Sequence, residues 1–417
     1  MDTSRPLGHC ALCKSGEREI IQTQLLALLN RDEPCGIDFS LCRACGHLQQ
    51  WPPVPAELMA YHYRTFATYE MFGDAARLRA APPERHAQRF LSLVHALGIA
   101  PGRAYEVGCA SGAMLHQFRE QGWQVQGCDP SPSAVSQARA IFDITADLGD
   151  EEQALSSQKN LDLILACHVL EHLYDPPAAL ARFHAALAPN GHLVLEVPCA
   201  VAPELLPPGW FTFEHLHYYQ PHILEGLLRR AGFEPVKNRI EMTAEHYPVI
   251  AIAARKTEDR ASDIPDINPS AGIRLARTYA ACDAALWAAT DERLKRVGQP
   301  VFLYGAGIHT SQLLDRTDLA PRVIAIADRD PKKWGQELAG KPVISPAELF
   351  AHPQPTPVIV SSYVSEKPII DALLKGGIAA ARIIPLYSDP PAHQPDKTPR
   401  SPVLAASERH RPSPNRL

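Results

Sequence analysis

No stretch of the 417-residue chain approaches the roughly 18 consecutive apolar residues that a membrane-spanning helix requires, and the opening MDTSRPLGHC lacks the apolar run of a secretory signal. A membrane protein is therefore not expected, and the sequence reads as that of a cytoplasmic one. An excess of positive charge is missing too: 41 Lys and Arg face 46 Asp and Glu, for a net charge of −5 and a sequence pI near 6.4. Such a balance supplies no field to hold a polyanion, and no basic patch stands out before the C-terminal tail, so neither nucleic acid nor an anionic membrane is an expected partner. No short repeat runs through the sequence, which removes solenoids and propellers. Only residues 390–417, rich in Pro, Ser, Arg and His, have too little to bury, and this segment is expected to be a disordered tail. Elsewhere, 46% hydrophobic and 21% charged residues are ordinary globular composition, and the length calls for two or three cores.

Ten cysteines are present. In a reducing compartment, clustered cysteines point to metal and scattered ones to buried small hydrophobes. Cys10 and Cys13 form one C-x-x-C pair, and Cys42 and Cys45 form a second. Each pair places two thiolates on one tight turn, and two such turns give the four-sulfur tetrahedral shell that zinc prefers. Gly46 follows directly, where a knuckle turn needs an unusual backbone angle or a close approach. Four protein ligands leave no open position, so the expected zinc is structural, in a module spanning residues 1–55.

After a connecting segment, 56–79, a strand-and-helix pattern runs over 80–256. AYEVG (104–108) is an apolar strand, followed by Cys109, Ala110, Ser111 and Gly112 and an amphipathic helix, AMLHQFREQG. Gly108 and Gly112 let the backbone turn sharply and lie close to a ligand. Asp129 closes the next strand, VQGCD, where a carboxylate accepts hydrogen bonds from ribose hydroxyls. Ala110 stands where the dinucleotide fingerprint has its middle glycine, and no third glycine sits in phase. This favours a nucleoside without a pyrophosphate. Asp147 follows IFDITA, and Asp162 opens the buried strand LDLILA, which runs through Cys167 into HVLEHLYDP. HLVLEVP then closes at Pro198. Such apolar strands between helical patterns indicate a parallel sheet covered on both faces.

Through EVGCASG, CDPS and HVLEHLYDP, in this order and spacing, the block resembles the class I S-adenosylmethionine (SAM)-dependent methyltransferases. The resemblance implies a Rossmann-like core that binds SAM, with Glu106, Gly108 and Gly112 at its methionine end, Asp129 at the ribose and Asp147 near the adenine. Cys109, Ala110 and Pro130 complete the expected cofactor-binding set, with His168 as a further contact. A histidine at 168 that only packs or caps, and a Glu171 that is merely a solvated helix residue, are equally open.

After the fifth strand, Glu214, His215, His217, Tyr218 and Tyr219 crowd one loop on the carboxyl side of the sheet, where ligands bind in such folds. Methyl transfer from a sulfonium is an in-line displacement that needs alignment and, for a C–H or O–H nucleophile, a base. Histidine suits that role. A cysteine-pair module, a SAM core with an E-H motif after its fifth strand and a trailing second Rossmann-like domain together resemble the C-methyltransferases of nucleotide-linked deoxysugars. That resemblance implies that His215, with Glu214 beside it, removes a proton alpha to a sugar ketone. The family tends to have tyrosine two residues before the glutamate, and here that position is Thr212.

Ser270 to Val297 has the spacing of a helix, within a linker over 257–298. A smaller Rossmann-like α/β domain follows over 299–389: VFLYGAG and VIAIADRD, ending near Asp328, mimic a mononucleotide fold, but only Gly305 and Gly307 are present. It could hold the nucleotide of a substrate, bind a second cofactor or form a lid, and His309 could reach a phosphate or lie on the surface. The expectation is a three-part α/β SAM methyltransferase acting on a small molecule, with a nucleotide-linked deoxysugar first and C-methylation as the reaction. The alternatives are an O- or N-methyltransferase of another small metabolite and a non-catalytic zinc-containing binding protein.

Overall fold

The computed structural model describes residues 9–65, 75–79, 85–201, 203, 206–207, 209–243, 247–258, 269–353, 355–363 and 365–387. The predicted tail lies outside these residues. Strands β1 (Arg18–Leu26), β2 (Cys35–Cys42) and β3 (Leu48–Gln50) form an antiparallel meander. The far half of β1 alternates buried and exposed residues, so one face turns to a core.

The central sheet begins with β4 (Arg103–Val107), β5 (Gln124–Asp129), β6 (Ala146–Leu148), β7 (Leu161–Cys167) and β8 (Leu187–Pro198). A two-residue strand, β9 (His217–Tyr218), then leaves for the N-terminal sheet, before β10 (Phe233–Met242) and β11 (Pro248–Lys256) complete the central one. The order is β10-β11-β8-β7-β4-β5-β6, with only β11 reversed. β7 is buried along most of its length, because helices cover both faces. Local chemistry fixes those helices. Ser131 caps the helix Pro132–Phe142 by accepting from Ala134 N at 3.3 Å, Asp175 caps Pro176–Ala186, and Asp143, at φ 53°, ends the first of them. The order of strands reverses between β4 and β7, the switch point at which an open parallel sheet leaves a crevice.

A 27-residue helix, Pro269–Lys295, follows. It packs on β1, where Arg277 makes paired bonds to Glu19 at 2.7 and 2.9 Å and Gln22 donates to Asp283 at 2.9 Å. The last sheet comprises β12 (Val301–Tyr304), β13 (Val323–Ala327), β14 (Glu337–Leu338), β15 (Lys341–Ile344), β16 (Val358–Val360) and β17 (Ile383–Pro385), in the order β14-β15-β13-β12-β16-β17. Its own switch point lies between β12 and β16.

β9 ties the three parts together. Leu48 pairs with Tyr218 and Gln49 with His217, so the segment just after His215 is the fourth strand of the cysteine-bearing sheet. One continuous core joins Phe39 and Leu41 of that sheet, Trp210, Phe211 and Phe213 of the following loop, Tyr279 of the long helix and Leu303 of the last sheet. Phe211 lies 4.7 Å from Phe39 and 4.6 Å from Tyr279, ring centre to ring centre.

Candidate active site

At the central switch point the turn after β4 carries Gly108, Ala110 and Gly112 at φ 70°, 45° and 79°, left-handed backbone throughout. A Cβ on Gly108 would meet Val169 Cγ2 at 2.6 Å. Gly127, which no sequence motif marks, is as tightly enclosed, with Cys109 Cβ and Glu106 O both 2.8 Å from a built Cβ. The buried carboxylate of Asp129 accepts from Ala110 N at 2.9 Å and Ser131 N at 2.8 Å. Burial raises its pKa and these N–H groups oppose the rise. Each oxygen keeps a lone pair for a hydroxyl. Pro130 is exposed beside it, and Cys109 is packed in with its thiol pushed up by burial. Glu106 is buried on β4, and exposed Asp147, on β6, accepts from Tyr105 OH at 3.1 Å.

The last sheet repeats this turn: Asp328 accepts from Ala306 N at 2.7 Å and Asp330 N at 2.8 Å. There, however, the buried Lys333 ammonium lies 3.4 Å from the carboxylate and donates to Ala306 O at 3.0 Å. Among the described residues no cation is within ion-pair distance of Asp129. Sequence makes the two turns look alike, and the Lys333 contact distinguishes what each carboxylate has left to offer.

His168, at the end of β7, adopts φ 52° and is wedged between Glu171, 3.2 Å away, and Glu196, 3.3 Å away. Burial pushes its imidazole down, but the bonds and charges of the two glutamates win and lift it to about 9. Glu196 also holds Arg89 by two bonds and His86 at 3.1 Å. A histidine whose pKa rises from 6.5 to about 9 on folding contributes stability that is complete below 6.5 and is lost between 6.5 and 9. The melting temperature is therefore expected to fall as pH rises across that window, and His168→Gln should flatten the slope. A slope unchanged in the variant would assign the loss to another group.

The E-H loop sits beside this cluster. Glu214 is bonded to His62; burial raises its pKa, but that bond and the charges of His62, His172 and His215 hold it at about 2. His215 is pushed down to about 4, first by burial and then by His172 and His168, with Glu171 and Glu214 acting against the fall. It is thus neutral near pH 7, as a proton acceptor must be. His172 donates from Nδ1 to Glu214 O at 3.0 Å, and its ring centre lies 5.0 Å from that of His215. Glu171, for which a solvated helix position is one of the readings the sequence leaves open, is 1% exposed. A further relay of bonds secures the loop: His47 Nε2 donates to His217 Nδ1 at 3.0 Å, and His217 Nε2 donates to Leu173 O at 3.0 Å, the carbonyl acceptor fixing both tautomers.

His215 lines a cavity of about 300 Å³ between the loop and the last sheet. Trp210, Thr212 and Tyr247 line it from one side. Ile308, His309 and Tyr363, at the carboxyl ends of β12 and β16, line it from the other. The switch point of the last sheet thus faces the E-H loop. His309 is not a surface residue: it is bonded to Ser361 Oγ at 3.0 Å and to Tyr387 OH, and burial drives its imidazole down to about 4. No pattern in the sequence signals this meeting.

At the other end of the N-terminal sheet, the sulfurs of Cys10 and Cys45 are 3.8 Å apart and those of Cys13 and Cys42 3.5 Å. Four thiolates about 2.3 Å from a tetrahedral zinc would stand about 3.8 Å from one another, so the donor set fits that ion. Gly46, at φ 75°, donates to Cys42 O at 2.9 Å and faces Pro269 closely, which combines the two needs expected of it.

Residues 77–238 match the family model described as a methyltransferase domain. With the glycine turn, the acidic β5 terminus and the open doubly wound sheet, this gives the protein a SAM-dependent methyltransferase domain of the class I fold. It resembles the C-methyltransferase NovU of Streptomyces niveus, to which it is 26% identical over 393 residues, 84% of this sequence and 89% of that one. A ubiquinone biosynthesis O-methyltransferase of Rhodopseudomonas palustris (strain BisA53) is 28% identical over 153 residues, 34% of this sequence and 60% of its own length. Among solved structures, the 1,6-didemethyltoxoflavin-N1-methyltransferase of Burkholderia thailandensis is 20% identical, covers 51% of this protein and 96% of its own length, and superposes with a TM-score of 0.38. Among the described residues no helix is long and apolar enough to cross a membrane.

Proposed function

We propose that this protein methylates the carbon alpha to a ketone of a nucleotide-linked deoxysugar, with His215 as the base. The observation that carries this reading is a neutral imidazole in the E-H loop, lining a cavity that a second Rossmann-like sheet closes. The turn of Gly108, Cys109, Ala110 and Gly112, bordered by Glu106, would hold SAM, with Asp129 to accept from its ribose and Asp147 toward its adenine, and SAM would supply the methyl group. The acceptor occupies the cavity. His215 takes the alpha proton, the C–H electron pair passes to the ketone as an enolate, and the carbon attacks the sulfonium methyl in line while the S–CH3 pair returns to sulfur. Glu214, committed to His62, holds the loop on the helix Ala56–Thr65. Residues 1–55 form a zinc-binding module on Cys10, Cys13, Cys42 and Cys45, residues 80–256 the catalytic core and residues 299–389 the second wall of the acceptor site.

O-methylation of another metabolite is the second reading. Thr212 in place of tyrosine favours it, as does a cavity whose described lining has no Lys or Arg to meet a diphosphate. Incubation with nucleoside-diphosphate keto-deoxysugars in deuterated water, without SAM, separates the two. Exchange of the alpha proton, followed by NMR, is expected from an enolising enzyme, and its absence across the panel together with methyl transfer to a hydroxyl acceptor establishes the second. The cofactor assignment has its own test. Asp129→Ala removes a charged acceptor worth about 1.5–3 kcal/mol, so calorimetry should show SAM binding weakened about tenfold to a hundredfold. Unchanged affinity would place the ribose elsewhere.

A further inference from the structure

Glu171 and His215, neighbours in one cluster, each carry a buried polar atom without a hydrogen-bond partner. Glu171 Oε1 faces His168 Nδ1 at 3.2 Å and His172 Nε2 at 3.8 Å, but Glu171 Oε2 has no hydrogen-bond partner among the described residues. Nδ1 of His215 is likewise buried and unpartnered. One ligand atom each of Glu171, His172 and His215 lie within 4.8 Å of one another. The backbone sets this approach, since Leu216 N, directly after His215, donates to Glu171 O at 2.8 Å.

We infer that Glu171 is the charge partner of His215: its buried carboxylate orients the imidazole and pairs with the imidazolium that forms when His215 removes the acceptor's proton. This rests on the reading of His215 as the base. Among the described residues the neighbouring groups leave no other candidate for the role. The Glu214 carboxylate is engaged by His62. His172 spends its Nδ1 proton on Glu214 O, so in its neutral form Nε2 has only a lone pair to turn toward Glu171. His168 is held by Oε1. The remaining oxygen, Oε2, therefore lacks a donor, and His215, a ring nitrogen of which lies within 4.8 Å of the Glu171 carboxylate, is the neighbour left to supply one. Leaving a buried carboxylate oxygen without a donor is costly, and that cost is relieved most when the imidazole becomes charged. The interaction thus strengthens as the proton moves, which is the requirement for accelerating the step rather than only holding the ground state. The proton balance is simple. The acceptor's C–H bond breaks, its proton joins the His215 nitrogen on the cavity side, and Nδ1–H stays on Glu171. Water takes the proton after the product leaves.

Glu171→Gln keeps the shape and removes the charge. In 15N-histidine-labelled full-length protein, His215 is expected as the Nδ1–H tautomer, and the variant should lose that preference. Alpha-proton exchange of a nucleoside-diphosphate keto-deoxysugar and methyl transfer should both slow about a hundredfold, the scale of a positioned proton-transfer group, with SAM affinity near wild type, while the melting temperature falls because His168 loses one of its two carboxylate partners. Glu171→Asp, which restores a carboxylate, should recover part of the rate. If Glu171→Gln is too unstable to assay, Glu171→Asp and the wild-type tautomer carry the test. An unchanged tautomer, or wild-type exchange in Glu171→Gln while His215→Asn abolishes it, overturns the partnership and leaves the base in place. Exchange that survives in His215→Asn removes the base reading itself. A second metal ion per protein molecule, beyond that of the four cysteines and lost in Glu171→Gln, would also overturn the inference by making the cluster a metal site.

Discussion

His215→Asn is expected to lower turnover by about a hundredfold or more while SAM binding stays near normal, because a positioned base typically contributes that much to proton transfer. Calorimetry with SAM and steady-state methylation are the two measurements. The separation is expected because the loop and the cofactor turn are different elements: the loop is held by β9, His62 and the core around Phe211, whereas the turn is held by Asp129 and the close contacts of Gly108 and Gly127. Asparagine fills similar space near Trp210, so the fold should survive. Full activity in the variant would reduce His215 to a residue that packs or orients the acceptor.

Loss of the proposed zinc is expected to be nearly as damaging to turnover, although a four-cysteine site leaves the metal no chemistry to perform. Zinc-finger peptides gain about 10–16 kcal/mol of apparent binding energy from such a site, and at the proposed site that energy would support a sheet whose outer strand is β9. Cys42→Ser, or removal of the ion by a chelator, should release β9 and the His47–His217–Leu173 relay, and with them His215. Misplacing a catalytic group by ~1 Å costs on the order of a hundredfold, so turnover should fall on that scale, with SAM affinity changed far less. Elemental analysis should give one zinc per protein molecule in material prepared without chelator. Protein free of zinc that keeps full activity would sink both the metal assignment and the coupling.

Much of the molecule follows from local sequence. The C-x-x-C pairs, the glycine turn after β4, Asp129 at the end of β5 and the strand-and-helix alternation are encoded within a few residues each. Tight turns, buried parallel strands and caps impose their requirements on near neighbours, so spacing alone reports them. His215 was legible for the same reason, since a loop after the fifth strand must emerge at the carboxyl edge of the sheet.

Tertiary structure decided the rest. That Glu171 is buried, that it clusters with His172 and His215, that His62 engages Glu214 and that His309 faces the same cavity all depend on which faces of distant segments meet. So does the difference between Asp129 and Asp328, whose turns read alike in sequence until Lys333 is found beside one of them. The pairing of Gln49 with His217 is the clearest case: two residues do not announce a strand, and only the open edge of β3 makes them one. Periodicity tells a segment which face to bury, but the partner on that face is chosen by packing among elements far apart in sequence, and the proposed catalysis depends on those partners.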